Sequence, residues 1–109
     1  MSRAKGDIAE AQAYQYLQSL GFIMIETNVY SRFGEIDIIA TKDSVLHFIE
    51  VKSARSIELA LQNLTPSKLK KIIKTSNVYM KKNCVESDYC YDAVIIAENK
   101  IELIENITL

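Results

Sequence analysis

An α/β fold with helices on both faces of a mixed sheet is the architecture this sequence predicts, on three observations. Apolar residues recur at helical spacing at the start of the chain and again over its second half. Between them, three runs rich in Ile, Val and aromatic residues read as strands joined by short turns. Beyond the second helix a further strand run follows, so a helix crosses from a meander of three strands to another strand.

The elements follow in order. From about Lys5 to Leu20, Ile8, Ala9, Ala13, Tyr16, Leu17 and Leu20 mark one helix face, and Gly21 is a natural stop. Phe22 to Tyr30 reads as a strand, Ser31-Arg32-Phe33-Gly34 as a turn. Gly34 to Ala40 and Val45 to Lys52 are two central strands joined at Lys42-Asp43-Ser44. A short helix or a loop is expected between Ser56 and Thr65. Thr65 as N-cap with Pro66 in the first helical position opens a helix to about Lys82, burying Leu69, Ile72, Ile73, Ser76, Tyr79 and Met80. Asn83 to Tyr89 is polar. Tyr91 to Ala97 is a strand, and Ile101 to Ile104 an edge strand after the Glu98-Asn99-Lys100 turn.

With 109 residues, 49% of them hydrophobic, the chain suits one domain over residues 1–109 that buries a core without staples. No segment approaches the length of a membrane span and no N-terminal signal pattern is present, so the expectation is a cytoplasmic protein with no membrane partner. Cys84 and Cys90 could pair in a disulfide, but free thiols are the expectation for a cytoplasmic protein. Two Cys and one His are too few for a closed structural zinc site.

The chemistry concentrates in the central strands, where ionisable groups are rare unless paired, metal-bound or functional. By strand parity Glu35 and Asp37 share one face, opposite Ile36 and Ile38. Phe48, Glu50 and Lys52 likewise share a face. A hairpin closed by Asp43 and Ser44 sets Lys42 against Val45, and counting back sets Asp37 against Glu50 and Glu35 against Lys52. Directly opposed carboxylates at roughly 5 Å repel by about 3 kcal/mol at an effective dielectric near 20. A proton, a lysine or a cation must offset this. Mg²⁺, with Mn²⁺ as a substitute, fits because it favours carboxylate and water oxygens and leaves positions open for a phosphate. Such an ion activates water and polarises phosphate oxygens, and Lys52 is placed to orient that water or stabilise developing charge. The competing reading is an ion-pair ladder on a solvated sheet face.

Asp37, twelve intervening residues, then Glu50-Val51-Lys52 resembles the PD-(D/E)xK signature of restriction-endonuclease-like nucleases. Gly6, Ala9-Glu10, Ala13, Tyr16-Leu17, Gly21, Asn28, Gly34-Glu35-Ile36-Asp37, Phe48-Ile49-Glu50-Val51-Lys52 and Thr65-Pro66-x-Lys68 together resemble the YraN-like family of uncharacterised bacterial proteins, over nearly the whole chain. That resemblance implies a restriction-endonuclease-like, three-layer α/β/α sandwich with a mixed central sheet. It implies Asp37 and Glu50 as metal ligands and Lys52 as catalytic lysine. By analogy with archaeal Holliday-junction resolvases of that superfamily, it implies Glu10 as a further catalytic and metal-binding acid. The chain departs from the family pattern at Ala9, where glycine is usual, at Ala54, where arginine is frequent, and at Tyr91-Asp92, where Arg-Phe-Asp is typical. Asp92 is assigned no role.

Net charge of −1 does not advertise nucleic-acid binding, but Lys68, Lys70, Lys71, Lys74, Lys81 and Lys82 crowd one helix. From charge alone that stripe is an ordinary solvated face. With the acidic cluster, Lys68, Lys70, Lys71 and Lys74, helped by Arg3 and Lys5, become the expected phosphate contacts. His47 falls by parity on the face away from Glu50 and reads as packed or exposed, and the tyrosines as core or rim. The expectation is a metal-dependent endonuclease acting on DNA, with a homodimer as one way to cut both strands. The alternative is a nucleic-acid-binding module that keeps the fold and cuts nothing. A third reading is an interaction domain of a larger assembly.

Overall fold

The computed structural model describes residues 3–108, and side chains from Gly6 onward. The contacts expected of Arg3 and Lys5 therefore lie outside the described side chains. Helix α1 (Arg3–Ser19) leads into the meander β1 (Ile23–Ser31), β2 (Gly34–Lys42) and β3 (Val45–Ser53). Two helices follow, α2 (Ile57–Gln62) and α3 (Pro66–Lys82), then β4 (Asp88–Ala97) and β5 (Lys100–Ile104). Strand order in the five-stranded sheet is β1-β2-β3-β4-β5. The β3–β4 pair is parallel and the other three are antiparallel. A parallel neighbour needs a crossover, and α2 with α3 supplies it.

Local chemistry explains the boundaries. α1 ends on Gly21, whose φ of +93° suits the left-handed C-terminal position. There Phe22 N–H bonds Leu17 C=O and Gly21 N–H bonds Gln18 C=O. Thr65 caps α3, its side chain accepting from Lys68 N–H, with Pro66 in the first turn. Ser56 caps α2 in the same way through Leu59 N–H. Asp43 and Ser44 both have positive φ, as a two-residue hairpin turn matched to strand twist requires.

Helices cover both faces. Ala13 and Leu17 of α1 pack with Ile38, Ala40, Ile49 and Val94. On the other face Ile72 and Tyr79 of α3 pack with Ile36, Ile39, Leu46, Phe48 and Tyr91. Ala60 of α2 joins Ala93, Ile95 and Ala97, which share the α3 side of β4. Of the stripe expected on α3, Ile72, Ser76 and Tyr79 are buried, together with Thr75, while Leu69, Ile73 and Met80 are only partly buried against the same core. Among the described residues no helix is long and apolar enough to cross a membrane.

Candidate metal centre

The site begins where the β2–β3 ladder stops. Pairing runs from Lys42↔Val45 to Ile38↔Ile49, the register expected from the two-residue turn, and ends there although both strands continue. Asp37 and Glu50, and Glu35 and Lys52, occupy the next positions of that register but are not ladder partners. A carboxylate takes the place of backbone pairing: Asp37 Oδ2 accepts Val51 N–H at 2.8 Å. Val51 meanwhile keeps its place opposite Val94 in the parallel ladder. The strands part at this point, and the gap becomes a cleft.

Strand parity fails at the same step. Ile38 belongs to the core under α1, whereas Ile36 belongs to the core under α3. The expectation that they share a face is therefore corrected: β2 turns over at Asp37. The pattern Ile-Asp-Ile gives no sign of this, because apolar residues flank the acid on either assignment.

The cleft has a volume of about 500 Å³. Gly6, Asp7, Ala9 and Glu10 of α1 line it from one side of the sheet, and Asn63, just past α2, lines it too. Glu35 and Asp37 of β2 and Glu50 and Lys52 of β3 complete the charged lining. Glu10, Asp37, Glu50 and Lys52, the four catalytic candidates, thus meet in one cavity. Ala9 lines the same cleft and is buried against it. Glu10 is held by Asn28, whose Nδ2 donates to Glu10 Oε1 at 2.8 Å.

Burial pushes the Glu50 carboxyl up from 4.5 to about 9, with the adjacent Asp37 carboxylate adding to the shift and Glu35 adding further. Lys52 pulls the other way. Glu50 therefore holds a proton at neutral pH when no cation is present. The solvated ion-pair ladder does not fit, since Asp37 is only 9% exposed. An all-oxygen donor set lining one cleft fits a hard divalent cation. Asp37, Glu50 and Glu10 are the residues that would hold it.

The lysines of α3 stand outside this lining. Lys68, Lys70, Lys71 and Lys74 are all exposed. Their helix starts three residues beyond the cleft-lining Asn63. It also passes close to the β1–β2 turn, where a Cβ on Gly34 would lie 3.4 Å from Lys71 Cβ. Lys74 Nζ sits 5.3 Å from the Phe33 ring centre. The basic surface therefore flanks the end of β2 that carries Glu35.

Sequence reasoning gave Asp92 no role, and the structure gives it one. It is fully buried, bonded to His47 Nδ1 at 2.5 Å and to Asn106 N–H at 3.0 Å. Cys90 Sγ lies 3.0 Å from the same His47 nitrogen. Burial, then the charge of Asp92, pushes the Cys90 thiol up to about 12, so it keeps its proton. His47, Cys90 and Asp92 bring their donor atoms within 4.8 Å of one another. They satisfy each other and form a tie between β3 and β4 rather than a metal site. The signal for it was the parallel register, His47 opposite Cys90, which needs the sheet order to be known. Cys84 and Cys90 are free, as expected.

Fold and site together define an α/β protein with a five-stranded mixed sheet and an acidic cleft where two strands separate. The sequence model of the uncharacterised protein family UPF0102 matches residues 9–96. The chain belongs to that family. It is 57% identical over 109 residues to a UPF0102 protein of Sulfurimonas denitrificans, covering all of both chains. A UPF0102 protein of Helicobacter pylori strain HPAG1 is 54% identical over 106 residues, 97% of this chain and 92% of that one. One from Aliarcobacter butzleri is 46% identical over 110 residues, again covering both.

Proposed function

We propose that this protein is a restriction-endonuclease-like, Mg²⁺-dependent endonuclease that hydrolyses DNA phosphodiesters, with branched or structured DNA as the preferred substrate and Mn²⁺ as an alternative ion. One observation carries the reading: Glu10, Asp37, Glu50 and Lys52, drawn from three elements, line one open cleft at the point where β2 and β3 part. A bound cation would activate water and neutralise phosphate charge. Asp37, fixed by Val51 N–H, would supply a preset oxygen. Glu50 would release its proton to become the second ligand. Lys52, the cationic side chain in the cleft lining with these acids, would orient the attacking water and stabilise charge building on the phosphate. The exposed lysines of α3 would hold the DNA backbone beside the cleft. In this reading the protein works in the cytoplasm, and two copies supply the two sites needed to cut both strands.

The test is a cleavage screen over linear, nicked, flapped and four-way DNA with Mg²⁺ or Mn²⁺, run beside Asp37→Asn and Lys52→Ala. The expected result is cation-dependent cutting by the parent and a loss of at least about 100-fold in each variant. If no substrate is cut while DNA is still bound, the protein is the non-catalytic binding module.

A further inference from the structure

We propose that Asn28 is a positioning residue for the metal centre, holding the Glu10 carboxylate toward the position a cation would take beside Asp37. This inference rests on the metal-dependent reading above. Asn28 sits in the middle of β1 with φ of +53°, in the left-handed region that side-chain-bearing residues seldom adopt within a strand. Asparagine tolerates it better than most. Strain of this kind persists where the surroundings enforce it, and it gathers at functional sites.

What the strain accomplishes is visible in the ladder. The β1–β2 ladder keeps one offset from Glu26↔Ile39 to Ser31↔Gly34; Asn28 and Asp37 occupy the one step within it that is not a ladder pair. On one side of that step Thr27 and Ile38 line a groove with α1 residues. On the other, Val29 and Ile36 pack in the core under α3. Both strands turn over at the Asn28 and Asp37 step, where the ladder skips one pair and resumes in the same register at Val29↔Ile36. The turn-over leaves Asn28 bonded to Glu10 Oε1 at 2.8 Å and Asp37 bonded across to Val51 on the other neighbouring strand.

A carboxamide suits this task. It donates a hydrogen bond without adding charge, so Glu10 is fixed in place and remains an anion for the cation. A lysine there would neutralise it instead. Glycine alone would satisfy the backbone; the choice of asparagine supplies the donor as well.

The experiment uses Asn28→Gly, which keeps the left-handed backbone and removes the donor. Mn²⁺ affinity is measured by titration calorimetry for the parent, Asn28→Gly, Glu10→Gln and the double variant, with circular dichroism and thermal melting to verify folding. The expected result is a 10- to 100-fold weaker affinity for Asn28→Gly, the range for losing the group that orients a ligand, and about at most a twofold further change when Asn28→Gly is added to Glu10→Gln. A folded Asn28→Gly protein that binds Mn²⁺ within twofold of the parent overturns the positioning role and leaves the metal reading standing. So do independent, additive losses in the double variant. A parent that binds no Mn²⁺ overturns both.

Discussion

Asp37 bonds through its side chain to the main chain of Val51 at 2.8 Å, closing with a carboxylate the point where β2 and β3 stop pairing. The acid thereby has two tasks. It satisfies a backbone donor that lost its strand partner, and it fixes one carboxylate in the lining of the cleft. If Asp37 is a metal ligand as proposed, this bond locks the rotamer from which it would act.

The two tasks separate by substitution. Asp37→Ala leaves Val51 N–H without its acceptor and is expected to destabilise the protein by about 1–3 kcal/mol. Asp37→Asn keeps an acceptor oxygen for Val51 N–H, so its unfolding midpoint in urea is expected to stay close to that of the parent and above that of Asp37→Ala. Equal losses in both variants would show that the bond does not hold the strands at the split.

Glu50 makes the site sensitive to pH in a stated direction. Its carboxyl is raised from 4.5 to about 9 by burial and by Asp37. The folded state then keeps a proton that the unfolded chain has lost. Its contribution to stability in the absence of metal is fully present below pH 4.5 and is lost as pH rises toward 9. Glu50→Gln is expected to flatten that decline in denaturation series between pH 5 and 9. If a cation binds Glu50 as proposed, it must expel the proton, and calorimetry in buffers of different ionisation enthalpy is expected to show release of about one proton per ion near neutral pH. No release would place the cation away from Glu50.

Much of this was legible in the sequence. Asp43 and Ser44 identified the hairpin turn, which fixed the register as far as Ile38 and Ile49; Thr65-Pro66 and Gly21 marked helix ends. The gathering of Glu35, Asp37, Glu50 and Lys52 followed from that register. Three features did not follow. Strand parity assumes a regular pleat, so the turn-over at Asn28 and Asp37 was hidden between Ile36 and Ile38, which look alike to any alternation rule. The end of the ladder depends on how far the sheet twists, which side-chain pattern does not encode. The pairing of His47 with Asp92 required the order β3-β4, and that comes from a crossover of more than thirty residues (Ala54 to Ser87) rather than from neighbours in the chain.

The two cysteines are expected to react differently. Cys84 is exposed, whereas Cys90 is partly buried against His47 and Asp92 with its thiol pushed up to about 12. An alkylating reagent at pH 8 should label Cys84 in the folded protein and reach Cys90 only after denaturation. Prompt labelling of Cys90 in the folded state, read by peptide mass spectrometry, would contradict the hydrogen-bonded cluster.

The basic helix makes a prediction of its own. If Lys70, Lys71 and Lys74 contact phosphates, replacing them with glutamine should weaken DNA binding. The slope of log affinity against log salt should fall by about 0.9 for each contact removed. Fluorescence anisotropy over a salt series measures this. An unchanged slope would exclude α3 as the contact surface without touching the metal centre.

The proposed function requires Asp37 and Glu50 to share one cation at the split between β2 and β3. Anomalous diffraction from crystals grown with Mn²⁺ at pH 8 tests it most directly. The predicted result is one peak in the cleft with carboxylate oxygens of both residues at about 2.1 Å, the distance for hard divalent ions of this size, and none in crystals of Asp37→Asn. A cleft without a peak, its two carboxyl groups still facing each other at saturating Mn²⁺, would contradict it.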